Sequence, residues 1–164
     1  MLALSPPAVV ADSSALTPTP TPTYVQSDWK VVESIGCASL VTDKHMGAIE
    51  IVGDLGREVH EHLRVNRLLG PVIHIPGKEF REIHLVAGLG RAKKAMNWLT
   101  SIGVIVHRDG ATVSLPSTDS SAASSHWVGS SDASPPPALA IAAAVRAVRA
   151  RTNSSTGSPL PAAS

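Results

Sequence analysis

A single cysteine, Cys37, stands in 164 residues, so no internal disulfide can form and a disulfide scaffold is excluded. Charge is equally sparse: charged side chains make up 16% of the chain and the formal net charge is +1, which excludes a strongly basic histone-like binder. Aromatic residues are 3%, and the 43% apolar fraction leans on alanine, which buries little area per side chain. No stretch reaches the ~18 apolar residues of a membrane span, so no membrane partner is expected. Pro6, Pro7, Asp12, Ser13 and Ser14 interrupt the apolar residues near the start, and no Lys or Arg precedes residue 28; a secretory signal is not expected, and the expected location is cytoplasmic. A chain of this length suits one domain and excludes a large multidomain enzyme.

What is present divides into five stretches. Residues 1–27 carry Thr17-Pro18-Thr19-Pro20-Thr21-Pro22-Thr23, which favours extended, solvated geometry and predicts a disordered tail. Residues 28–128 hold the folded domain. Residues 129–137 form a linker, with 117–134 mostly Ser, Ala, Asp and Thr around His126-Trp127-Val128. Pro135-Pro136-Pro137 then opens an Ala-rich helix over 138–151, with Leu139, Ala142, Val145 and Val148 as its apolar stripe. Residues 152–164 read as a second disordered tail.

Within the domain, Ala38–Thr42 and Gly47–Val52 read as strands. Leu55, Val59, Leu63 and Leu69 mark a helix over 54–69, capped by Asp54 and stopped by Gly70-Pro71. Val72–Ile75 and Glu82–Ala87 are strands around the Pro76-Gly77 turn. A helix over 90–102 has Leu89, Ala92, Met96, Leu99 and Ile102 on one face and Gly103 as terminator. Val104–His107 and Ala111–Leu115 flank Asp109-Gly110, a hairpin signal. The resulting class is α+β: a small mixed sheet with two packed helices, plus the C-terminal Ala-rich helix and disordered termini.

Seven histidines raise the question of a metal. His60 and His62 are two apart on a helix and diverge by roughly 200°, so they cannot chelate one ion together. His74 and His84 share a face if Ile73, Ile75, Ile83 and Leu85 turn to the core; they face opposite ways if Phe80 joins Ile73 and Ile75 instead. No metal site is expected. Cys37 has no neighbouring base in sequence and reads as a small buried residue. Arg81, Arg91, Lys93 and Lys94 cluster around a strand-to-helix turn where a phosphate could meet free N–H groups. Arg146, Arg149 and Arg151 sit near the end of the last helix, where they suit its dipole or form a phosphate-contacting arm.

Several short segments occur in a suggestive order. Gly47-Ala48-Ile49-Glu50-Ile51-Val52 precedes Gly56; Pro76-Gly77 precedes Ile83-His84-Leu85-Val86; Gly103-Val104-Ile105-Val106 precedes Arg108-Asp109-Gly110-Ala111; Leu115-Pro116-Ser117 precedes His126-Trp127-Val128. In this order, Gly47–Val128 resembles the later part of bifunctional DNA primase/polymerase N-terminal domains and of small actinobacterial proteins related to them. The resemblance implies three carboxylates that hold two divalent cations for nucleotidyl transfer, and a phosphate-contacting histidine. Here the acidic pair is reduced to Glu50, the third position falls on Ile105, and His84 stands at the histidine. The resemblance with these losses implies a non-catalytic binding or regulatory protein, its partner nucleic acid or another protein, with no cofactor. Arg81, Arg91, Lys93, Lys94, Arg146 and Arg149 are its candidate nucleic-acid contacts. The enzymatic alternative is a residual nucleotidyl transferase or nuclease that uses Glu50, Asp54 and His84 with Mg²⁺ or Mn²⁺. A third reading is an exported protein with a Thr/Pro stalk.

Overall fold

The computed structural model describes residues 29–34, 37–116 and 124–155. Expectations for the Thr/Pro tract, for 117–123 and for 156–164 lie outside the described residues. Among the described residues, twelve elements follow the α+β pattern. Strands β1 (Val31–Ser34), β2 (Cys37–Val41) and β3 (Met46–Val52) lead into helix α1 (Gly53–Val65). Strands β4 (Val72–His74) and β5 (Arg81–Ala87) lead, through a 3-10 turn at Leu89–Arg91, into α2 (Lys93–Ser101). Then come β6 (Ile105–His107), β7 (Thr112–Leu115), β8 (His126–Val128) and α3 (Ala138–Ser155).

The strands divide into two sheets. The larger has the order β6-β3-β5-β4-β8, the smaller β1-β2-β7, and the strand pairs in both are antiparallel. In β3-α1-β4 the two strands straddle β5; in β5-α2-β6 they straddle β3. That is the split βαβ, or ferredoxin-like, topology, extended by β8 at one edge.

The large sheet has two covered faces. On one, Ile49, Ile51 and Val86 pack with Val59 and Leu63 of α1, Met96 and Leu99 of α2, and Ile141, Val145 and Val148 of α3. On the other, Ala48, Ile73, Ile83 and Leu85 pack under Leu40, Val113 and Leu115 of the small sheet, with Trp29 and Trp127 at the margin. The fold therefore has three layers. Period-2 alternation sorts β3 and β5 between the two cores.

Several expectations change. The Asp109-Gly110 turn forms, with φ of 57° and 87° at its two central residues, as its sequence demands. It is not a hairpin, however: β6 pairs with β3 and β7 with β2, so the turn carries the chain from one sheet to the other. Helix α1 ends at Val65 rather than at Leu69. Leu68 N–H bonds Leu63 O (2.9 Å) and Arg67 N–H bonds Arg64 O (3.1 Å), with Arg67 left-handed at φ 56°. This is a Schellman closure with arginine at the position glycine usually takes. Asp54 makes no capping bond and sits exposed in the first turn of α1. Cys37 is exposed at the start of β2. The last helix runs on to Ser155, and its buried stripe is Ala138, Ile141, Ala142, Val145 and Val148; Leu139 faces solvent. The helix docks fully, so three helices, not two, cover the sheet. β8, within the Ser/Ala-rich stretch, adds to the sheet edge through Ile73↔Trp127.

Close approach accounts for the glycines at positions 47 and 56. A Cβ on Gly47 would collide with the Leu89 side chain, and one on Gly56 would stand 3.0 Å from Ile51 O and 3.1 Å from the Phe80 ring.

Candidate functional sites

The candidate residues fall at three places. The first is a basic groove where β5 hands over to α2. Gly88 adopts φ 75°, the left-handed turn that lets the chain leave the sheet and enter the 3-10 turn. The first N–H groups of α2 have no partners within the helix. Around them lies a depression of about 520 Å³ lined by Arg91, Lys93, Lys94 and Arg146, with no acidic residue among the described residues of its wall. Arg146 is held over the Trp98 ring, 4.8 Å from its centroid. A wider depression of about 1190 Å³ shares Gly90, Arg91 and Lys93 and adds Lys30, Lys44 and His45. Two carboxylates line this wider part. Asp43 accepts N–H bonds from His45 (2.7 Å) and Met46 (2.8 Å), and the Met46 and His45 bonds hold its carboxyl below the usual range. Asp132 accepts from Ser130 Oγ, which lowers its carboxyl likewise.

Four of the six predicted nucleic-acid contacts thus line one surface. Arg149 is exposed on α3 and lines neither depression; Arg81 lies at the opposite end of β5. Lys30, Lys44 and His45 were missed because they come from a different stretch of chain. The only signal for them is that β3 and β5 pair, with Met46 opposite Ala87.

The second place is Glu50. Its side chain is 2% exposed and takes the same sheet face as Ile83, the face that packs against the small sheet. Oε1 accepts from Arg81 Nε at 2.5 Å, and Oε2 lies 2.8 Å from His107 Nε2. Burial works against the charge; the Arg81 and His107 hydrogen bonds more than offset it and hold the carboxyl below its usual range. The Glu50 bond correspondingly raises Arg81.

The third place lies across the sheet. β4 and β5 pair Ile73 with Ile83 and His74 with Glu82, so the isoleucines take the small-sheet face while His74, Glu82 and His84 take the helix face. Three imidazoles surround the buried Glu82 carboxylate. His60 Nδ1 of α1 is 2.8 Å from Oε2, His74 Nδ1 is 3.7 Å from Oε1, and His84 Nε2 is 3.7 Å from Oε2. The rings of His126 and Phe80 flank His74, at 5.2 and 5.4 Å between centroids. Among the described residues His84 Nε2 is buried without a hydrogen-bond partner, and burial, followed by the nearby His60, pushes this imidazole down to about 3. Among the described residues no group of three or more His, Cys, Asp or Glu is arranged to hold a metal ion. His62 leaves α1 on the other side, its Nδ1 3.3 Å from Arg151. Glu82 and His107 carry no motif; the alternation of polar Glu82 and His84 with Ile83 and Leu85 was the one trace of Glu82 in sequence, and His107 left none.

Glu50, Asp54 and His84 do not meet. Glu50 and His84 project from opposite faces of the sheet, and Asp54 is exposed on α1. Ile105 does stand directly opposite Glu50. The groups that hydrogen-bond that carboxylate are Arg81 and His107, however, not a second acidic residue.

The molecule is a three-layer split βαβ protein with a basic groove at one end of its central strands and a tethered Arg–His pair at the other. Comparison with family models, with curated proteins and with solved structures returned no match. Among the described residues no helix is long and apolar enough to cross a membrane.

Proposed function

We propose that this protein is a non-catalytic binding protein whose ligand is a phosphate-bearing polymer, nucleic acid foremost, held in the groove at the start of α2. The observation that carries the reading is the convergence of Arg91, Lys93, Lys94 and Arg146 on one acid-free depression at a helix N-terminus. Backbone N–H groups and the helix dipole add to the side-chain charge there. The low net charge limits contact to this surface, so affinity is modest and salt-sensitive.

Fluorescence anisotropy of a labelled oligonucleotide across a salt series tests it. Four phosphate contacts give a slope of log K against log salt of roughly −3 to −4, near −0.9 per contact on duplex and −0.7 on a single strand. The Lys93→Glu/Lys94→Glu variant weakens binding by at least about tenfold at low salt, since each change replaces attraction by repulsion. No binding at roughly 100 μM protein and low salt, or equal binding by the variant, would remove nucleic acid as ligand.

A further inference from the structure

The Glu50 site is separate from the groove: it lies at the Val52–Arg81 end of the β3–β5 pair, whereas the groove lies at the Met46–Ala87 end. It places a charged carboxylate in a nearly dry position. Replacing such a buried ionic group by apolar residues is often neutral or stabilising, so charge retained there invites a functional account. Arg81 and His107 each engage Glu50 through a single nitrogen. Arg81 engages Glu50 through Nε and is 47% exposed; His107 engages through Nε2. Among the described residues neither makes a further side-chain hydrogen bond. Val52 and Ile105 share this face, paired with Arg81 and Glu50 respectively, and are 37% and 47% exposed. This end of the β3–β5 pair thus carries an anchored guanidinium and an imidazole beside two part-exposed aliphatic side chains.

We propose that Arg81, oriented by Glu50 and flanked by His107, forms a receptor for the terminal oxyanion of a small organic acid whose apolar body rests on Val52 and Ile105. A guanidinium presents parallel N–H donors that match a carboxylate or a phosphate monoester, and the buried tether fixes its direction before the ligand arrives. The shared chemistry is an apolar group bearing one oxyanion. The groove at α2 plays no part in it.

The test is a titration of the full chain followed by the side-chain carbon–proton resonances of His107, with phenyl phosphate, benzoate, inorganic phosphate and acetate as probes. Phenyl phosphate or benzoate binds at least about fivefold more tightly than its inorganic or acetate counterpart, the factor that covering roughly 40 Å² of apolar surface supplies. Whichever aromatic acid binds more tightly identifies the oxyanion as phosphate or carboxylate. Arg81→Lys, which keeps the charge and loses the fork, weakens binding at least about fivefold. Arg81→Ala abolishes the shifts, with circular dichroism melting confirming that each variant is folded. Three results overturn the proposal: no His107 shift at roughly 20 mM probe, where even a ~10 mM site would be mostly filled; equal affinity for the aromatic and non-aromatic acids; or shifts that survive in a folded Arg81→Ala.

Discussion

His84 shows how strongly surroundings decide a side chain's chemistry. An imidazole with an ordinary value of 6.5 is pushed to about 3 in the fold, chiefly by burial. A lowered folded-state value means that folding favours the neutral form. The stabilisation is complete above pH 6.5 and is lost progressively as pH falls from 6.5 toward 3. Between pH 6.5 and 5 this group alone accounts for about 2 kcal/mol. Urea unfolding at a series of pH values measures it: His84→Leu flattens the acid slope relative to wild type, and an unchanged slope would assign the acid sensitivity elsewhere. The same residue marks the limit of reading a site from a string of letters. That His74 and His84 share a face followed from one of two registers; that Glu82 and His60 complete the cluster required knowing where α1 lies. Glu50 was legible as a lone carboxylate, but Arg81 was grouped with the groove cations, and His107 drew no attention because only the β3–β6 pairing places it there.

At the scale of elements, helices α1 and α2 end by the same device with different residues. Helix α2 closes with Gly103 at φ 88°, with N–H bonds from Gly103 to Thr100 O and from Val104 to Leu99 O at 3.1 Å each. Helix α1 makes the equivalent pair of bonds around Arg67. Glycine announces such an end in sequence and arginine does not, so the α2 terminus was legible and the α1 terminus was misplaced to Leu69. The left-handed conformation costs a residue with a Cβ about 1 kcal/mol or somewhat more. Arg67→Gly therefore stabilises the protein by roughly 0.5–1 kcal/mol, because glycine's extra unfolded-state entropy cancels part of the gain. Chemical denaturation reads it directly; a destabilised variant would mean that Arg67 makes compensating contacts. The Asp109-Gly110 turn teaches the complementary lesson. Local chemistry specified its conformation, but strand partners were set by which sheet offered a free edge.

For the whole molecule, α3 decides whether the core is complete. Ile141, Val145 and Val148 join the α1 and α2 side chains over the sheet, so the folded unit reaches through the helix. Ile141 is 1% exposed, and Ile141→Ala destabilises by about 2–4 kcal/mol through lost contacts and the cavity left behind. Exposed Leu139→Ala, one turn-face away, changes stability by less than about 0.5 kcal/mol. Parallel thermal melts distinguish the two; equal effects would mean that α3 does not dock as described.

Hydrophobic alternation, helical spacing and turn residues determined the α+β class, the order of the main elements and the basic character of the β5–α2 turn, because each depends on neighbours within a few positions. Tertiary structure alone decided the split into two sheets, the docking of α3, the separation of Glu50 from His84, and the meeting of Arg146 with Lys93 and Lys94. Those outcomes depend on which distant strands and helices find the better buried contact, and no local pattern carries that choice.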